Sequence, residues 1–123
     1  IIVTLRNPED NCLSLYYFSQ SAEGYQESFE DFYKLFLAGR VCFGSFWKQV
    51  LSYWNERHRL NTIFIKYKDM KNDLPGVIKT VANFLGKSIT EDQLTKLTEL
   101  LSFESMKNNP TVNYHESLQY MLV

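Results

Sequence analysis

The sequence predicts an α/β fold, a partial parallel sheet with helices on both faces, and two observations carry the prediction. Ile1–Leu5 and Thr62–Tyr67 are short, nearly continuous apolar segments, typical of strands buried on both faces rather than strands with one wet side. Each is followed by a long stretch of helical spacing. The order along the chain is therefore strand, three helices, strand, three helices, and parallel strands joined by long crossovers are its ordinary solution.

The first strand stops at Arg6. Asn7 is placed to cap a helix, Pro8 sits at its first position, where a missing N–H costs nothing, and Glu9 and Asp10 occupy the first turn. Leu13, Tyr16 and Tyr17 form the expected apolar face, and the polar run Ser21–Gln26 reads as a loop. Phe29, Phe32, Tyr33, Phe36 and Leu37 recur at i, i+3, i+4, i+7 and i+8, the stripe of an amphipathic helix stopped by Gly39. Val41-Cys42-Phe43-Gly44 is a turn into Ser45, the cap of a third helix that carries Phe46, Trp47, Val50, Leu51 and Trp54 and is closed by Asn61. After the second strand, Asp73-Leu74-Pro75 starts a helix with Val77, Ile78, Val81, Phe84 and Leu85 on one face and Gly86 as its C-cap. Thr90 with Gln93 makes a capping box ahead of Leu94, Leu97 and Leu101, in a helix ending near Leu100. Ser102 caps a short further turn through Met106, which Asn108-Asn109-Pro110 breaks, leaving a polar tail that contains Tyr and His.

With 123 residues there is room for one domain, spanning 1–123, and 45% apolar content excludes a disordered or collagen-like chain. Thirteen Lys plus Arg against fourteen Asp plus Glu leave a net charge of -1, so no global field attracts nucleic acid or an anionic membrane, and any anion site has to be local. Cys12 and Cys42 fit neither a disulfide framework nor a zinc site and read as reduced thiols of a cytoplasmic protein without a metal. No apolar run approaches the length of a spanning helix. The chain opens without Met inside its best strand, and two strands do not make a sheet, so the expectation is a fragment whose remaining strands lie in other sequence.

Ligands of open α/β sheets sit beyond the carboxyl ends of the strands, here Arg6 and Tyr67. The Arg6 guanidinium and the first N–H groups of the following helix are able to converge on a phosphate, with Ser14 two turns in offering a hydroxyl. An Arg after a strand is also commonly a surface ion-pair partner, and Glu9 and Asp10 already complement the helix dipole. Tyr67 is able to stack on a base, or to be an aromatic at the rim of the core. Gly86-Lys87-Ser88 resembles the end of a P-loop, but Val81 stands where the first Gly belongs and a helix precedes it, so it reads as a helix C-cap. His58 lies in the charged run Glu56-Arg57-His58-Arg59 and His115 in the polar tail, and both read as solvated. Cys12, near a helix start but with no His close in sequence, reads as inert.

At four places in order these residues resemble the cytosolic sulfotransferase family. Arg6-Asn7-Pro8-Glu9-Asp10 through Ser14-Leu15-Tyr16-Tyr17-Phe18 is similar to the family's Arg-Asn-x-x-Asp and Ser-x-Tyr segment after an apolar strand. Gly39 followed by Phe43-Gly44-Ser45-Phe46 resembles its Gly and Tyr-Gly-Ser-Trp, Tyr67-Lys68-Asp69-Met70-Lys71 its Tyr-Glu-Asp-Met-Lys, and Ser102-Phe103-Glu104-Ser105-Met106-Lys107-Asn108-Asn109-Pro110 its Ser-Phe-x-x-Met-Lys-x-Asn-Pro. The resemblance implies an incomplete P-loop NTPase-like sulfotransferase fold, 1–123 being part of one such domain. It also implies an enzyme that moves a sulfuryl group from 3'-phosphoadenosine 5'-phosphosulfate to a small phenol, alcohol or amine acceptor, without a metal. Arg6 and Ser14 fall on positions that bind the donor's 3'-phosphate. Tyr67, Leu101, Ser102, Phe103 and Met106 fall on positions lining the adenine pocket, with Leu101 standing where the family often has Thr. The catalytic His, the Lys- and Thr-containing phosphosulfate loop, the basic Arg-Lys-Gly phosphate loop and the short dimer motif have no counterpart here, so the isolated chain is expected to be inactive and to contribute no catalytic residue. The readings weighed beside this are a nucleotide kinase-like P-loop fragment and a truncated, non-catalytic product.

Overall fold

The computed structural model describes residues 1–112. In chain order they form β1 (Ile2–Leu5), α1 (Pro8–Ala22), α2 (Phe29–Leu37), α3 (Phe46–Asn55), β2 (Ile63–Lys66), α4 (Tyr67–Asn72), α5 (Leu74–Phe84), α6 (Glu91–Leu100) and α7 (Phe103–Lys107). β1 and β2 are neighbours in a small parallel sheet, and the Ile63 N–H donates to the Ile1 carbonyl at 2.9 Å. The chain divides into two compact units, Ile1–Phe64 and the residues from Ile65 onward.

The first unit is built around α1 and α2. Phe32 and Phe36, one turn apart on α2, are each 2% exposed and pack with Cys12 of α1, surrounded by Leu15, Tyr16, Tyr25, Val41 and Phe46. Burial of each ring contributes about 1.5–3 kcal/mol. α1 differs from expectation in which face it buries. Leu13 and Tyr17 are exposed, and the inward stripe is Cys12, Leu15, Tyr16 and Ser19. The reason is steric, because the small side chain at 12 lets the α2 rings approach where a larger residue would hold them off. β1 also differs. Val3 is buried but Ile1 and Ile2 are exposed, so the strand is covered on one face only among the described residues.

Helix ends follow local chemistry. Asn7 accepts the Glu9 N–H at 2.9 Å ahead of Pro8, while α1 runs on to Ala22, past the Ser21 loop start the composition suggested. α3 starts at the Ser45 cap and ends at Asn55 rather than at Asn61, because the charged stretch after it forms successive tight turns, with the Glu56 N–H donating to Tyr53 and that of Arg59 to Glu56. α2 closes in a Schellman arrangement: Gly39, at φ 67°, donates to the Phe36 carbonyl and Arg40 to that of Leu35. A Cβ at position 39 would lie 2.8 Å from the Ser45 Cβ. Gly39→Ala therefore combines left-handed strain with a clash against the cap of the next helix, and is expected to cost about 2 kcal/mol, read as a lower urea midpoint of the full-length protein.

In the second unit α5 packs Ile78 and Ala82 beside Leu94 of α6. α6 opens with the expected capping box of Thr90 and Gln93. Gly86 ends α5 in the same Schellman manner as Gly39, its N–H donating to Asn83 and that of Lys87 to Ala82. Gly86-Lys87-Ser88 is thus a helix stop rather than a phosphate loop. The main difference from expectation is α4. Tyr67, read as the last residue of the strand, is the first residue of a six-residue helix, so four helices rather than three follow β2. Lys66 leaves the strand in extended conformation, Asp69 and Lys71 complement the ends of the helix, and Asp73 both terminates α4 and caps α5 by accepting the Gly76 N–H at 3.0 Å. Helix α7 starts at the Ser102 cap and stops at Asn108, ahead of Pro110. The polar tail with His115 lies outside the described residues.

Candidate functional site

Arg6 is half-buried at the point where β1 ends and one residue before the Asn7 cap of α1. It lines a cavity of about 240 Å³ against β1, together with Asn11, Phe46, Gln49, Val50 and Tyr53. Ser14, exposed two turns into α1, lines a second cavity of about 290 Å³. The two cavities adjoin, because Asn11, Phe46 and Gln49 belong to both walls. Within the first unit the structure therefore brings Arg6 and Ser14 to one continuous concave surface. It adds two amides, Asn11 and Gln49, that the sequence reading did not single out. The signal was present for Asn11, which falls one turn after Asn7 and one turn before Ser14. Gln49 had none, being a single polar residue in an aromatic helix.

The combination is one suited to an oxyanion. A guanidinium offers a planar fork, a hydroxyl and two amides offer further donors, and an apolar floor of Phe36 and Phe46 limits water. Thiol chemistry is not part of it. Cys42 lines the Ser14 cavity, but its hydrogen bond to the Glu23 carboxylate, helped by partial burial, pushes the thiol up from its ordinary value. Burial does the same to Cys12. Both thiols stay protonated at neutral pH and are poor nucleophiles. His58 lies exposed in the turn after α3, as expected of a solvated side chain.

In the second unit, Phe103 and Met106 line a cavity of about 230 Å³ with Lys107 and Val112. Phe103, Met106 and Lys107 fall at i, i+3 and i+4 and so share a face of α7. Ser102 precedes them as the cap, its hydroxyl oxygen accepting the Ser105 N–H at 3.2 Å, which leaves its own proton to donate. Leu101 is a half-exposed residue at the end of α6 and has no side-chain donor. Tyr67 opens α4, half-buried, with Lys71 one turn later. The Lys71 ammonium lies 5.0 Å from the centre of the Phe103 ring. Phe103 and Met106 carry apolar area with a polarizable sulfur, and Phe103 is 65% exposed, an aromatic face open to a flat ligand.

The class of protein follows from comparison with known families. A family model described as a sulfotransferase domain matches residues 1–121, and the chain belongs to this sulfotransferase family. Among individual relatives, luciferin sulfotransferase of Photinus pyralis is 41% identical over 119 residues, covering 97% of this chain and 32% of that protein. Sulfotransferase 1 family member D1 of Mus musculus is 38% identical over 116 residues, covering 93% of this chain and 39% of that protein. The chain thus spans about a third to two fifths of the length of these relatives. Among solved structures, retinol dehydratase in complex with androsterone and inactive cofactor PAP superimposes with a TM-score of 0.88 at 34% identity, covering 98% of this chain and 35% of the other. Mouse sulfotransferase SULT7A1 complexed with PAP gives 0.85 at 32% identity, covering 89% and 40%. The α/β fold and the sulfotransferase family are thereby shown, and the kinase-like alternative is set aside. Among the described residues no helix is long and apolar enough to cross a membrane.

Proposed function

We propose that this chain carries donor-binding residues of a sulfotransferase that moves a sulfuryl group from 3'-phosphoadenosine 5'-phosphosulfate to a hydroxyl or amine of a small phenol, alcohol or amine acceptor in the cytoplasm, without a metal. Residues 1–123 are then a partial sulfotransferase domain. Arg6 and Ser14 hold the donor's 3'-phosphate, and Tyr67, Ser102, Phe103 and Met106 contact its adenine. Leu101 contributes contact area there but no hydrogen bond. The observation that carries the reading is the position of Arg6, half-buried between β1 and the N-terminus of α1 on the surface that also holds Ser14, Asn11 and Gln49. PAP-bound relatives of the same fold support it.

In chemical terms the donor's sulfur–oxygen bond to its 5'-phosphate breaks as the acceptor oxygen or nitrogen bonds to sulfur, and the acceptor gives up a proton. The residues named here bind and orient. No group among them is placed as the proton acceptor, so the isolated 123-residue chain is expected to bind without turnover. The 3'-phosphate is the discriminating group, since a nucleotide lacking it forgoes the charge-assisted contact with Arg6 and the hydroxyl contact with Ser14. Calorimetric titration of the full-length protein should therefore show binding of 3'-phosphoadenosine 5'-phosphate at least tenfold tighter than that of adenosine 5'-phosphate. Equal affinities would sink the assignment of the phosphate site.

A further inference from the structure

We propose that Lys71 is a positioning residue for the adenine of the donor, acting through the ring of Phe103. The inference rests on the adenine role proposed for Phe103 and adds Lys71, the last residue of the Tyr67–Lys71 segment that forms most of α4. The Lys71 ammonium stands 5.0 Å from the Phe103 ring centre, inside the range in which a cation is held by the negative face of an aromatic ring. Phe103 needs such a hold. It is the first residue of a five-residue helix and 65% exposed, so little packing otherwise fixes its plane. A stacked base gains from an aromatic only when that plane is already set, because ordering a free side chain subtracts from the binding free energy.

Placement also favours this role. Phe103 lines the cavity that it shares with Met106, Lys107 and Val112, whereas Lys71 does not line it. The ammonium thus engages the ring without entering the space where a ligand would lie, and leaves ring surface facing that space. Lys71 itself is exposed on α4, one turn after Tyr67, so its side chain can be exchanged without disturbing the core of the unit.

The test is titration of the full-length protein, with Lys71 as it is and as Lys71→Met or Lys71→Arg, against 3'-phosphoadenosine 5'-phosphate and against ribose 3,5-bisphosphate, which lacks the base. Lys71→Met is expected to weaken the nucleotide about threefold and leave the base-free ligand unchanged, while Lys71→Arg, which preserves a cation over the ring, retains full affinity. An unchanged nucleotide affinity in Lys71→Met overturns the inference. So does an equal loss for both ligands, the mark of a charge acting on phosphate. So does a loss in Lys71→Arg equal to that in Lys71→Met. Phe103→Ala separates the two levels. If it leaves nucleotide binding intact, the adenine reading fails and takes the inference with it; if it weakens binding while Lys71→Met does not, only the inference fails.

Discussion

Arg6→Ala in the full-length protein is expected to weaken 3'-phosphoadenosine 5'-phosphate by about 1.5–3 kcal/mol, roughly tenfold to 150-fold in Kd, with adenosine 5'-phosphate nearly unaffected. The size follows from the chemistry at the β1–α1 junction. A charge-assisted bond to a phosphate exceeds an ordinary hydrogen bond, and a half-buried guanidinium feels less solvent screening than one standing free in water. Arg6→Lys restores the charge but not the planar fork, so it should recover only part of the loss. Isothermal titration of the three proteins checks the ordering, and an Arg6→Ala Kd equal to that of the parent refutes the phosphate role. A small reduction in thermal stability would not confuse the result, because Arg6 is outside the Cys12, Phe32 and Phe36 cluster.

The second large effect is structural. Phe36→Ala removes a ring that is 2% exposed, packed in the cluster with Cys12 and Phe32, edged by Phe46 at 5.7 Å between ring centres, and forming part of the floor of the Ser14 cavity. Transfer and cavity terms together predict a loss of about 3–5 kcal/mol, which a urea or thermal melt of the full-length protein reads directly. Phe36→Leu keeps much of the volume and should lose clearly less. A loss below about 1 kcal/mol in Phe36→Ala would mean that α1 and α2 are not held together by this cluster. Because Phe36 also lines the cavity beside Ser14, the same variant is expected to weaken the donor product at temperatures where it remains folded, which links the core of the first unit to its proposed anion surface.

How far the sequence could be read depended on the kind of signal each residue carries. α2 was legible as a helix from five large side chains at helical spacing, but only Phe32 and Phe36 of the five are buried, while Phe29, Tyr33 and Leu37 stand exposed at its flanks. The α1 face was misread because two of its inward positions, Cys12 and Ser19, do not look like core residues, while Leu13 and Tyr17 do and are exposed. α4 was missed because six residues make less than two turns, too few for a periodic pattern, and its entry has no side-chain cap to mark it. Among the candidate site residues, Arg6 and Tyr67 were found from the general rule for strand ends. Ser102, Phe103 and Met106 were reached only through the family motif, because a short helix carrying Phe and Met is indistinguishable from a core segment. Gln49 carries no local signal of function, Asn11 only its spacing from Asn7 and Ser14, and Lys71 only its place at the end of the Tyr67–Lys71 motif, so their interest comes mainly from what lies beside them in three dimensions.

The contact between Gly39 and Ser45 reaches beyond the stability of one variant. Gly39 ends α2 and Ser45 begins α3, and the space between them admits no side chain at 39 while the Ser45 Cβ stays where it is. The two positions are therefore not independent letters in the chain's history. A descendant that gains a side chain at 39 must displace the start of α3, so the distance between the two helices is inherited through the absence of a side chain at that one position.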